Sequence, residues 1–308
     1  MSRTEVLLVA GTHGNEINAP WLFDQLEKSP KLINRCGLKV ATVIGNPLAK
    51  EKGLRYIDRD LNRSFSSKLL SSVSTQNDYE INRARELLSL FGPDSDNPVP
   101  VVIDFHSTTS AMGTCIVVYG RRLADLAFAA LIQNRLNLPI YLHEGDNSQT
   151  GFLVEKWPCG LVIEIGPVPQ GVLKTEIIEQ TAIAVEVCLD ELSKVKFGNS
   201  IFPKEIVIHR HLKSLDFPRD SLGNIIGYLH RDIDGKDWFP IKKGHNLFST
   251  FNGTEMKFID PDLPEDLIPV FINESAYLEK GIAMSLTTKE CWDFKKIWSE
   301  RLISLIKK

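Results

Sequence analysis

The chain has 308 residues, 43% of them hydrophobic and 24% charged, with a formal net charge of -3. That length suits one large or two modest domains, and the charge balance gives no general affinity for nucleic acid or for a membrane surface. No apolar run approaches the roughly 20 residues of a membrane span, and the short run before Gly11 is no secretory leader.

Residues 6–10, VLLVA, read as a buried strand, and Trp21, Leu22 and Leu26 mark the helix that follows. Residues 38–44 form a second strand, closed by Gly45-Asn46-Pro47. Asp78 is suited to cap a helix over 79–91, which Gly92-Pro93 stops. Strands over 99–105 and 114–119, a helix over 123–136, a strand over 161–165 and a long helix over 175–195 follow. This alternation predicts a mostly parallel sheet covered by helices on both faces. Near Phe197-Gly198-Asn199 the character changes. Short β-type runs over 206–208, 225–229, 267–272 and 282–286, with turns at Asp234-Gly235 and Asn252-Gly253, predict a smaller β domain ending in a helix over 292–306. The expected division is residues 1–199 and residues 200–308. Cys36, Cys115, Cys159, Cys188 and Cys291 form no CxxC pair and read as reduced thiols of a cytoplasmic protein.

The chemistry concentrates at strand ends. Gly11-Thr12-His13-Gly14-Asn15-Glu16 follows the first strand directly, and a helix starting at Asn15 would let His13 and Glu16 converge. Imidazole and carboxylate are ligands of catalytic zinc. A third ligand is expected from another strand end, and the run Val101-Val102-Ile103-Asp104-Phe105-His106 supplies His106 where open α/β sheets bind ligands. Three protein ligands leave one position for water. Glu164 sits inside the apolar run Leu161-Val162-Ile163-Glu164-Ile165 and so needs a partner or a function. Its functional reading is a general base. In the charged loop from Arg55 to Arg63, Asn62 and Arg63 offer donors to a carboxylate, and Arg55 suits an oxyanion.

Together GTHGNE, RYIDRDLNRSF, DYEINRARELLSLFGP, IDFHSTTSAMG, IEIGPVPQGVL, FPRD and PVFINESAYLEK resemble the aspartoacylase family, over residues 5 to about 290. That family is related to the succinylglutamate desuccinylases and lies within the zinc carboxypeptidase-like superfamily. The resemblance implies a three-layer α/β/α catalytic domain with a mostly parallel sheet and a smaller β-rich C-terminal domain. It implies hydrolysis of N-acetyl-L-aspartate to acetate and L-aspartate with one zinc per chain. His13, Glu16 and His106 would hold the zinc and Glu164 would be the catalytic carboxylate. Arg55 would lie by the scissile carbonyl, Asn62 and Arg63 on the α-carboxylate, and Tyr277 would reach the substrate from the C-terminal domain. The implied partner is a small N-acyl amino acid, with no nucleic acid and no membrane, and homo-oligomerisation is left open.

One departure from the family stands out. Members that prefer N-acetylaspartate carry an arginine upstream of the catalytic glutamate, which grips the side-chain carboxylate. Here the segment reads Asn147-Ser148-Gln149-Thr150-Gly151-Phe152-Leu153-Val154-Glu155-Lys156, and no arginine occurs between Arg135 and Arg210. Lys156 and Gln149 are the candidate replacements, and Phe152 suits a more apolar pocket. Relatives acting on neutral or aromatic N-acyl amino acids are therefore an alternative. A non-catalytic zinc-binding module and a peptide-cleaving carboxypeptidase are the other classes. His209 and His211 read as exposed polar positions of a strand, and His143-Glu144 as a structural loop.

Overall fold

The computed structural model describes residues 4–34, 37–146 and 149–307; Cys36 and the pair Asn147-Ser148 lie outside them. The first two thirds runs β1 (Val6–Ala10), α1 (Asn18–Lys28), α2 (Lys31–Asn34), β2 (Val40–Ile44), α3 (Pro47–Lys52), α4 (Ser67–Ser71), α5 (Tyr79–Phe91), β3 (Val101–Ser107), β4 (Thr114–Tyr119), α6 (Leu123–Leu136), β5 (Ile140–His143), β6 (Cys159–Ile165) and α7 (Thr175–Phe197). The rest is β7 (Glu205–Leu215), β8 (Gly227–Leu229), β9 (Ile241–Lys242), β10 (Asn246–Thr250), β11 (Glu255–Lys257), β12 (Asp266–Val270), β13 (Met284–Asp293) and α8 (Lys296–Ile306).

A ten-stranded sheet has the order β2-β1-β3-β6-β4-β5-β7-β13-β12-β9. Strands β2, β1, β3 and β6 are parallel neighbours. β4 enters antiparallel to β6, and β5 and β7 then follow it in parallel. β13, β12 and β9 add antiparallel pairs. β8, β10 and β11 form a separate three-stranded sheet. Gly198 caps α7 at φ 77, beside the expected domain division, and the large sheet continues across that point through β7 and β13.

Two apolar layers sandwich the parallel strands, which is why β1 reads as an unbroken apolar run and β3 opens on Val101-Val102-Ile103. Val6, Leu8, Ile103 and Phe105 pack with Phe23, Cys188 and Leu302 of α1, α7 and α8. Leu7, Val9, Val102 and Val162 pack on the opposite side with Phe65, Leu87 and Trp157. α1 buries Ala19, Leu22, Phe23 and Leu26, the spacing of one helix face. Asp78 accepts a hydrogen bond from Ile81 N at 3.1 Å, and so caps α5 as its side chain allows.

The differences from the sequence reading have physical causes. β5 is a four-residue strand after a proline, too short for a periodic signal. β7 extends well beyond 206–208 through polar residues, because His209 and His211 are buried there rather than exposed. His209 lies under Trp238, and His211 lies beside Tyr141 and His143. The last helix starts at Lys296, since Trp292 still pairs with Ile206 in the sheet. Cys115, Cys159 and Cys188 are buried free thiols, and Cys291 is exposed and free. Among the described residues, no helix is long and apolar enough to cross a membrane.

Candidate active site

The carboxyl ends of β1, β3 and β6 lie side by side, and each delivers one part of the site. His106 is in register with Glu164 across the β3–β6 pair, and Asp104 with Val9 across β1–β3. After β1 the chain makes a tight turn in which Glu16 N bonds to His13 O at 3.2 Å, and α1 begins only at Asn18. The turn, rather than a helix starting at Asn15, brings the two side chains together. Gly14 is required in it, because a Cβ there would lie 2.1 Å from the Ala49 carbonyl carbon.

His13, Glu16 and His106 converge, all buried. His13 Nδ1 lies 2.7 Å from Glu16 Oε1, His106 Nδ1 lies 3.1 Å from Glu16 Oε2, and the two Nδ1 atoms are 3.1 Å apart. The outer nitrogens face carboxylates. His13 Nε2 is 2.8 Å from Asp60 Oδ1, and His106 Nε2 is 2.8 Å from Asp104 Oδ2. Thr12 Oγ1 donates to both oxygens of Asp104 at 2.9 Å. Two imidazoles and a carboxylate, with each far nitrogen held by an acid, form the donor set and outer support that suit zinc. Burial alone would raise the Glu16 carboxyl, but His13 and His106 outweigh it and hold it well below the usual range. In a second acidic group, Asp58, Asp78 and Glu80 accept backbone hydrogen bonds from Tyr79, Ile81 and Ile57 and so hold the loop and cap α5.

One recess is lined by His13, Glu16, Arg55, Asn62, Arg63, Glu164 and Tyr277, so the residues singled out from sequence meet there, with His106 directly behind. Arg55 donates to Glu16 at 3.1 Å, and its Nη2 lies 2.9 Å from His13 Nε2. Asn62 Oδ1 accepts from Leu153 N at 2.9 Å, which fixes its amide. Arg63 donates to Asn62 O at 2.9 Å and to Gln149 Oε1 at 2.6 Å. The Nε atoms of Arg55 and Arg63 are buried with no hydrogen-bond partner among the described residues. Buried donors left open in this way invite an anion. Burial pushes the Glu164 carboxyl up to about 8; His106 opposes the rise and Glu16 adds to it. A base so tuned suits proton transfer near neutral pH.

Several residues that shape the site lie inside the motifs quoted above, but the sequence reading gave them no role. Glu80, 0% exposed, accepts from Ile57 N at 2.6 Å, Asp58 N at 2.9 Å, Arg59 N at 3.3 Å and Asn46 Nδ2 at 2.9 Å, and so shapes the loop that bears Arg55, Asp60, Asn62 and Arg63. Glu274 accepts from Thr109 N at 2.7 Å and from the Thr108 hydroxyl, tying the segment of Tyr277 to the loop after β3. Lys280 reaches Asp60 at 3.1 Å, and burial with Arg63 nearby lowers its ammonium to about 8. Glu80 sits in the quoted run DYEINRARELLSLFGP, but its hydrogen bonds reach a loop 21 to 23 positions away, which one sequence does not reveal.

The segment before Glu164 answers one expectation and overturns another. Lys156 donates to Ser67 Oγ at 2.9 Å at the surface and does not line the recess, because the 153–156 turn carries it outward. Phe152 instead stacks on Tyr119 with ring centroids 3.8 Å apart, and the Arg63 guanidinium lies 4.0 Å over its ring. His143, read as a loop residue, ends β5 and lines the inner end of the recess.

The chain is similar to known proteins over nearly its whole length. The profile of the succinylglutamate desuccinylase/aspartoacylase catalytic domain matches residues 2–192, and that of the AstE/AspA barrel-sandwich hybrid domain matches residues 204–289. A probable aspartoacylase of Prochlorococcus marinus is 57% identical over 306 residues, covering 99% of each chain. One from Parasynechococcus marenigrum is 49% identical over 306 residues, covering 99% of this chain and 100% of its own. The crystal structure of murine aminoacylase 3 superposes with a TM-score of 0.86 at 30% identity, covering 96% of this chain and 98% of its own. The chain belongs to the succinylglutamate desuccinylase/aspartoacylase family of amide hydrolases.

Proposed function

We propose that the protein hydrolyses N-acetyl-L-aspartate to acetate and L-aspartate with one zinc ion per chain, held by His13, Glu16 and His106. The observation that carries this is the convergence of those three side chains beside Glu164 and Arg55 in one recess. Bound zinc supplies a Lewis acid that makes water nucleophilic near neutral pH and polarises the amide carbonyl. Glu164 takes the proton released by the attacking water and passes it to the amide nitrogen, so that the amine can leave. Arg55 donates hydrogen bonds to the carbonyl oxygen as negative charge gathers on it. Asn62 and Arg63 hold the α-carboxylate, with Arg63 stiffened by Gln149 and Phe152. Tyr277 closes the recess from the C-terminal segment. Asp104 and Asp60 fix the ring orientations of His106 and His13.

The test is release of acetate from N-acetyl-L-aspartate by the purified, zinc-loaded protein. No release above the enzyme-free rate would refute the reading.

A second reading, hydrolysis of neutral or aromatic N-acyl amino acids, is favoured by the aromatic wall of Tyr119, Tyr141, Phe152 and Phe271 and by the absence of an arginine in the upstream segment. A pocket that lacks a dedicated cation discriminates less sharply. The preference for N-acetylaspartate over a neutral substrate should therefore stay below the roughly 10⁴-fold that a buried polar clamp achieves.

A further inference from the structure

Beyond Arg63, Tyr119, Glu164 and Tyr277, the recess continues to an inner end floored by Tyr141, His143, Gln149 and Ser285. A substrate whose α-carboxylate is on Arg63 and whose amide faces Glu164 would direct its side chain toward this end. Arg63 is the one permanent cation among the described residues that line it. That guanidinium is already committed to the Asn62 carbonyl, the Gln149 side chain and the face of Phe152.

His143 is the lining group that can turn from neutral to cationic. Its contacts are long. Nδ1 lies 3.3 Å from the Tyr141 hydroxyl and Nε2 lies 3.4 Å from the Gln149 carbonyl. Both are long hydrogen bonds, so little is lost when a ligand carboxylate replaces either partner. The ring is also gripped edge-on by Tyr119 and Phe152, which fixes where it stands.

The charged and titratable groups facing it are Arg63, Tyr119, Tyr141, Asp146, Glu164, His211 and Tyr277. Burial, with His211 and Arg63 nearby, lowers the His143 imidazole to about 4; the hydrogen bond to the Gln149 carbonyl and Asp146 oppose the fall. The empty recess thus holds a neutral ring. A carboxylate brought into contact favours the charged form and reverses the balance.

We propose that His143 is the specificity-determining residue for the substrate side chain: neutral, it admits an uncharged chain, and on taking one proton from solvent it binds a carboxylate. Selection between the two substrate classes then follows pH. This rests on the N-acyl amino acid reading above.

The kinetic test compares kcat/KM for N-acetylaspartate and N-acetylasparagine on the zinc-loaded enzyme from pH 6 to 8. The near-isosteric pair cancels ionisations that both substrates share. The ratio is expected to fall about tenfold per pH unit, the slope of a single linked proton. His143→Gln should abolish that slope. A second readout needs no turnover: calorimetric titration of L-aspartate into the zinc-loaded protein at pH 7, in two buffers of different ionisation heat. Aspartate is expected to take up close to one proton and asparagine none. A pH-independent ratio, aspartate binding without proton uptake, or no binding of either amino acid overturns the proposal. Proton-linked aspartate binding without hydrolysis of either substrate upholds it and refutes the hydrolase reading instead.

Discussion

Glu80 offers a quantitative test of how the site is held. It is fully buried and accepts four hydrogen bonds, three from the backbone of residues 57–59 and one from Asn46. Glu80→Ala strands those donors. Each stranded buried group costs about 1–3 kcal/mol, and water entering the space left by the side chain offsets part of the sum. The expected loss is therefore about 3–5 kcal/mol. At about 2–4 °C per kcal/mol for a chain of this size, the melting temperature should fall by about 6–20 °C. Glu80→Gln keeps one acceptor oxygen and should lose about half as much. The same loop bears Arg55, Asn62 and Arg63, so both variants should raise KM for every N-acyl amino acid more than they lower kcat. Calorimetric melting of the metal-loaded protein, with steady-state kinetics well below the transition, measures both effects. A Glu80→Ala protein within about 1 kcal/mol of wild type, below the cost expected for a stranded network, would show that Glu80 does not hold the loop.

Three further outcomes are expected. Glu164→Gln should retain fold and metal but lose turnover by at least about 100-fold, the usual scale of general acid–base catalysis; near-normal turnover would move the base elsewhere. Arg63→Ala should weaken charged and neutral substrates alike, since all share the α-carboxylate, whereas Lys156→Ala should leave the substrate ratio unchanged because its ammonium lies on Ser67; a selective loss of N-acetylaspartate in Lys156→Ala would contradict this placement. Burial lowers His209 to about 4, so the folded protein keeps it neutral where the unfolded chain protonates it. That contribution is present above the ordinary histidine pKa and is lost as pH falls toward 4. From pH 6.5 to 4.5, wild type should lose about 1–2 kcal/mol more stability than His209→Gln, as read from denaturant unfolding at each pH; parallel losses would show that His209 does not titrate in this way.

Much of the fold was legible in the sequence because its signals are local. The apolar runs of β1, β3 and β6 are buried on both faces, and the caps Asp78 and Gly92 flank α5 as their chemistry requires. The approach of His106 to the His13 turn also followed from the rule that ligands gather at carboxyl ends of parallel strands. What stayed hidden depends on contacts distant in sequence. His209 and His211 flank Arg210, and it is the packing of Trp238, Tyr141 and His143 over β7 that buries them. Asp60 and Lys280 join across 220 positions. Lys156 and Phe152 lie four residues apart, and the turn between them decides which one faces the recess. The antiparallel entry of β4 is set by its neighbours in the sheet, and its own apolar run is compatible with either direction.

The proposed activity depends on one catalytic zinc held by His13, Glu16 and His106 together. The most direct measurement is zinc content per chain, by mass spectrometry of the purified protein and of His106→Ala, alongside hydrolysis of N-acetylaspartate by each. Wild type should carry one zinc per chain and be active, and His106→Ala should lose both while its melting transition remains cooperative. A His106→Ala protein that is fully metallated and active would contradict that assignment.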